Sequence, residues 1–119
     1  MDIEFRDPAE APLPPDQVFF RNIEVEPYPD AQRLLVRLSV TPFQVRPTID
    51  LEVMDKQGVR VAASSIVEAT DATMSLTLHL RHPSPEMQCT LVARLLYEEQ
   101  GEVDRVEAEF SFPQLNQKG

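Results

Sequence analysis

"IDLEVMDKQGVRVAASSIV", Ile49–Val67, holds two runs of alternating side chains around one short polar break. In an extended chain successive side chains leave opposite faces, so Ile49, Leu51 and Val53 share one side and Asp50 and Glu52 the other. The break reads as a tight hairpin. A three-residue loop, Lys56-Gln57-Gly58, pairs Asp55 with Val59 and sets Val53 opposite Val61 and Leu51 opposite Ala63. Gly58 then falls where a type I turn followed by a bulge requires a left-handed residue. Val59, Val61 and Ala63 are expected to face inward with the first strand's apolar set.

The same two-residue period recurs on both sides of this hairpin. Phe19, Ile23 and Val25 alternate with Asn22, Glu24 and Glu26. Leu34, Val36, Leu38 and Val40 alternate with Arg33, Leu35, Arg37 and Ser39. Further on come Met74, Leu76, Leu78 and Leu80, then Cys89, Leu91, Ala93, Leu95 and Tyr97, then Val106, Ala108, Phe110 and Phe112. Seven such runs, separated by turn residues every eight to twelve positions, predict an all-β sandwich or barrel. No stretch carries a 3.6-residue apolar stripe. The prolines punctuate the runs, at Pro27, Pro29, Pro42, Pro47, Pro83, Pro85 and Pro113, where a missing N–H does not break a ladder.

The last hairpin has its turn at Gln100-Gly101. A two-residue loop sets Leu95 opposite Val106 and Leu91 opposite Phe110; a four-residue loop moves the partners by two positions and keeps every face. Residues 1–17 are proline-rich and expected to be extended, with Ile3 and Phe5 able to form a short edge strand. The sandwich is expected over residues 18–113, and 114–119 to fray.

Composition narrows the function classes. A length of 119 residues allows one ordinary domain, and 42% hydrophobic residues suffice for a core without metal or disulfide. Twenty acidic against eleven basic residues, a net charge of −9, oppose binding to nucleic acid or an anionic membrane. Cys89 is the single cysteine, so no intrachain disulfide forms. The acidic start lacks the apolar run of a signal peptide, and a cytoplasmic location is expected.

The hairpin at Ile49–Val67 resembles the C–C′ hairpin of immunoglobulin-like and fibronectin-type-III-like domains. "PSPEMQCTLVARLLYEEQGEVDRVEAEFSF", residues 83–112, resembles their F–G hairpin. The resemblance covers strand order over about residues 18–112. It implies a seven-stranded, Ig-like two-sheet antiparallel sandwich, with strands A-B-E packed on C′-C-F-G. The tyrosine that many such domains carry early in strand F is replaced here by Met87 or Cys89, and the tryptophan and paired cysteines of antibody domains are absent. Most domains of this kind are non-catalytic.

Candidate sites follow from the alternation. Glu98, Glu99, Glu102 and Asp104 crowd the last hairpin tip, and Glu107 and Glu109 point outward along its second strand. A calcium ion needs six to eight converging oxygens, which a tight hairpin splays apart. His79 and His82 point to opposite sides of a regular strand and cannot share a metal. Cys89 faces inward as a small hydrophobe. Ser64 and Ser65 lack a nucleophile-elbow setting, and no phosphate or dinucleotide loop is present. No catalytic, metal or cofactor residues are therefore assigned. The better lead is apolar residues of outward parity: Phe20, Leu35, Val92 and Leu96, supported by Met54 and Ile66. The competing expectation is that Leu13 folds over one of them. The chain reads as a non-enzymatic interaction module for a protein partner or a second copy, the alternative being a carbohydrate- or calcium-binding accessory module.

Overall fold

The computed structural model describes residues 11–81 and 88–112. Its strands are β1 (Phe20–Pro27), β2 (Arg33–Val40), β3 (Thr48–Asp55), β4 (Arg60–Ile66), β5 (Thr73–His79), β6 (Gln88–Tyr97) and β7 (Gly101–Ser111). They form two antiparallel sheets, ordered β1-β2-β5 and β4-β3-β6-β7. The chain is thus an all-β, seven-stranded sandwich with the expected division of strands between sheets. The expected edge strand at Ile3 and Phe5, together with His82, Pro83, Pro85, Met87 and Pro113, lies outside the described residues.

Alternation accounts for the core. Leu34, Val36, Leu38 and Val40 of β2 are buried, as are Ile49, Leu51 and Val53 of β3 and Cys89, Leu91, Ala93, Leu95 and Tyr97 of β6. These are the central strands, covered on both flanks. On the edge strands β5 and β7 the same parity gives half-buried Met74, Leu76, Val106, Ala108 and Phe110. Each fully buried aliphatic side chain contributes roughly 1.5–3 kcal/mol relative to exposure.

Three bulges interrupt the ladders, and two of them alter the expected faces. In β1, Phe20 pairs with Val40 but Asn22 pairs with Ser39, leaving Arg21 as the extra residue. The parity reverses there. Phe20 enters the core at 7% exposure, while Phe19 is 48% exposed, the opposite of the expected assignment.

The hairpin at Lys56–Gly58 forms as expected: Asp55 N–H donates to Val59 O at 2.9 Å, and Gly58 adopts φ 84°. Met54 then faces Arg60 and Val53 faces Ala62, which makes Val61 the bulged residue. Val61 and Ala62 are both buried, and Ile66 packs on the core. Val59 and Ala63, expected inward, are exposed, and Ile66, expected outward, turns in. A two-against-one bulge shifts side-chain parity for the rest of the strand.

In the β6–β7 hairpin, Leu91 faces Ala108 and Leu95 faces Asp104, the alternative offset by two. Val103 bulges near the tip, and Tyr97 faces Gly101 at φ 74°. This bulge leaves Val106, Ala108 and Phe110 on the inner side.

Candidate functional site

Three connections converge at one end of the sandwich: residues 41–47 between β2 and β3, residues 67–72 between β4 and β5, and the start of the β6–β7 turn. Their backbones are tied together. Tyr97 O–H donates to Val45 O at 2.7 Å. Ala69 N–H donates to Pro47 O at 2.8 Å, and Glu68 N–H to Thr48 Oγ1 at 3.4 Å. Burial of Tyr97 raises its phenol pKa, which keeps it a donor. Glu68 is held left-handed at φ 50°, a conformation costing about 1 kcal/mol or more for a residue with a side chain. The flanking hydrogen bonds hold it there.

The 41–47 connection is strapped from its other side. Leu13 N–H donates to Pro42 O at 3.0 Å, and Gln44 N–H to Leu13 O at 2.9 Å, forming a parallel bridge from Leu13 to Phe43. Thr41, the one buried polar residue among those described, accepts Phe19 N–H on Oγ1 at 3.3 Å. Leu13 is half-buried against the core.

Between these connections lies an open cleft of about 340 Å³, lined by Val45, Arg46, Thr48, Val67, Leu96 and Tyr97. Val45 is 50% and Val67 70% exposed, so two β-branched apolar side chains stand at its rim on backbone that is hydrogen-bonded in place. Arg46 and Glu98 are exposed beside them. Sequence reasoning missed Val45 because it lies in a connection, where parity carries no information, and Val67 because it closes a run whose parity the bulge at Val61 reverses.

The four residues of outward parity do not form one patch. Leu96 is half-buried and lines the end cleft. Leu35 is half-buried on the opposite sheet, in a groove of about 290 Å³ with Glu26, Pro27, Tyr28, Pro29 and Arg37. There the Arg33 guanidinium lies 4.3 Å from the Tyr28 ring centre and its Nε donates to Asp30 at 2.9 Å. Phe20 belongs to the core, as the β1 bulge dictates. Val92 keeps its outer position opposite Glu52 and Glu107, yet is only 7% exposed. Long charged side chains flank it: Glu52 receives Arg94 at 2.8 Å and Arg60 at 3.1 Å.

The acidic hairpin resolves into separate roles. Glu98, Glu99, Glu102, Glu107 and Glu109 are exposed. Asp104 instead takes inner parity opposite Leu95, and its Oδ2 accepts the Phe20 N–H at 2.8 Å. It joins β7 to β1 across the sandwich edge and is not part of the tip cluster. Among the described residues no three His, Cys, Asp or Glu side chains converge as metal ligands. His79 is exposed on β5, and Ser65 donates its hydroxyl to Asp50. Cys89 is buried; desolvation, aided by the Asp55 charge, pushes its thiol up to about 11. No helix among the described residues is long and apolar enough to cross a membrane.

No family model and no curated protein matches the sequence. Solved structures do share the fold. A glycosyl hydrolase family 2 member from Bacteroides cellulosilyticus superposes with a TM-score of 0.64 at 14% identity, over 80% of this chain and 15% of that one. The β-glucuronidase of Parabacteroides merdae gives 0.64 at 15% identity, over 81% of this chain and 14% of that one. β-Glucuronidase 3 of Bacteroides uniformis gives 0.61 at 20% identity, over 80% and 12%. This chain therefore spans about one seventh of the length of those enzymes, and what it shares with them is a β-sandwich.

Proposed function

We propose that this chain is a non-catalytic accessory β-sandwich that docks a protein partner through its end cleft. One observation carries the reading: Val45 and Val67, half or more exposed, stand on connections locked by Tyr97 O–H and by the Ala69–Pro47 hydrogen bond. Apolar groups held rigidly in water lose little conformational entropy on docking, and that favours a contact surface. The A-B-E and C′-C-F-G division of strands supports a fibronectin-type-III-like relationship, and a core closed around a free thiol fits a cytoplasmic location.

A photo-crosslinking residue at position 67, compared with one at position 105 on β7, tests the reading in native cells. A discrete adduct from 67 and none from 105 is expected. No adduct, or equal labelling from both, refutes it.

A second reading is a carbohydrate-associated accessory domain. The structural neighbours named as glycoside hydrolases favour it, together with the groove that sets Tyr28 beside Glu26 and Arg37. An aromatic ring next to charged hydrogen-bonding groups suits a sugar face and its hydroxyls. Retardation in polysaccharide-containing gels, abolished by Tyr28→Ala, would favour this reading over protein docking.

A further inference from the structure

A two-sheet sandwich has four edge strands, here β1 and β5 on one sheet and β4 and β7 on the other. An edge presents unpaired N–H and C=O groups, and proteins blunt such edges with charges, bulges and proline. Three of the four are blunted in this way. β7 carries Glu102, Asp104, Arg105, Glu107 and Glu109, with a bulge at Val103. β1 carries Glu24 and Glu26, bulges at Arg21 and ends at Pro27. β4 bulges at Val61 and begins with Arg60.

β5 has none of these devices. Its sequence, Thr73-Met-Ser-Leu-Thr-Leu-His79, holds no Asp, Glu, Lys, Arg or Pro, and it pairs with β2 from Thr73 to His79 without a register shift. Among the described residues, no backbone hydrogen bond outside the ladder to β2 reaches Thr73–His79. Met74 and Leu76 have inner parity but are only half-buried, because among the described residues no strand lies beyond them.

We propose that β5 is a self-association edge, which joins a second copy of this chain by antiparallel β5–β5 pairing into a six-stranded sheet. The strand complements itself. Pairing about Leu76 sets Ser75 opposite Thr77 and Met74 opposite Leu78, while Thr73 meets His79 of the second copy. Every apolar residue then meets an apolar one on the inner face, and outside the Ser75 and Thr77 hydroxyls meet each other while the Thr73 hydroxyl meets an imidazole. The charge distribution selects a second copy over the other edges as the place of contact. β5 itself carries no acidic residue, so none of the −9 charge of each protomer sits on the pairing strand. Self-pairing of β7 would crowd its four acids against four more. The residual long-range repulsion between two acidic copies is screened by salt, so added salt strengthens the pairing.

Sedimentation velocity on the full chain, from micromolar to millimolar concentration and at low and high salt, tests the proposal. A monomer–dimer equilibrium that tightens with salt is expected. Ser75→Lys with Thr77→Lys places like charges opposite each other across the two-fold and weakens the dimer at least tenfold. Both side chains are exposed, so the monomer's thermal midpoint is expected to hold. Glu107→Lys on β7 and Val67→Glu at the end cleft leave the dimer unchanged, which separates this edge from the docking cleft. A wild-type chain that stays monomeric throughout overturns the proposal. So does a dimer indifferent to the two lysines, or one that Glu107→Lys or Val67→Glu dissociates.

Discussion

Replacing Asp104 by alanine removes a side-chain hydrogen bond that ties the β1 edge to β7. The Asp104 carboxylate accepts the Phe20 N–H at 2.8 Å, beside the bulge that turns Phe20 into the core. A hydrogen bond to a charged acceptor contributes about 1.5–3 kcal/mol, and its loss strands a donor that the fold has desolvated. Asp104 is half-buried, so solvent screening places the cost toward the lower end, about 1.5–2 kcal/mol. For a domain of this size that lowers the thermal midpoint by roughly 6–8 °C. Asp104→Asn keeps an acceptor without the charge and loses about half as much. Glu109→Ala, an exposed change on the same strand, stays within about 0.5 kcal/mol of wild type. Chemical denaturation supplies the free energies, and native-state hydrogen exchange reads the Phe20 amide directly. If Asp104→Ala melts like Glu109→Ala and the Phe20 amide keeps its protection, the hydrogen bond does not close this edge and the argument fails.

Leu51→Ala, at a fully buried position between the sheets, costs about 2.5–4 kcal/mol by urea denaturation. Gly58→Ala and Gly101→Ala meet no steric obstacle but retain positive φ, so each loses about 1 kcal/mol from backbone strain alone. Cys89 resists thiol reagents at pH 8 until the chain unfolds. Its folded pKa is raised, so its contribution to stability is complete below pH 9 and declines as the pH rises through about 11; a pH series of urea midpoints, compared with Cys89→Ala, checks both. The Asp30 pKa is lowered by the Gln32 N–H and the Arg33 guanidinium, so its contribution holds above 3.8 and fades as the pH falls through the lower folded value. Millimolar calcium or a chelator leaves the thermal midpoint unchanged, because the carboxylates of the last hairpin diverge.

Much of this architecture could be read from residue order. In β2, β3 and β6 unbroken alternation placed each inward side chain correctly, because these central strands carry no bulged residue and are paired on both sides. Asp55 and Gly58 specified their turn through local chemistry, an Asx-type acceptor and a left-handed glycine. The candidate contacts were less legible. Leu96 was found on a cleft, but Phe20 was assigned to the wrong side and Val92 was right in direction yet buried between Glu52 and Glu107 on the neighbouring strands.

Side-chain parity is local. The sequence alone therefore determined that the chain is all-β, that seven strands occupy the described residues, and which residues share a face along any uninterrupted stretch. A bulge is set by two strands together, since an extra residue at Arg21, Val61 or Val103 exists only relative to the partner opposite. Tertiary structure alone decided where parity reverses, which put Phe20 and Ile66 inside, and that Asp104, of one parity with Val106, meets the Phe20 N–H of the neighbouring edge. It also decided that Val45 and Val67, 22 positions apart, meet at one cleft. Convergence of loops depends on how the sheets pack, and no local pattern encodes it.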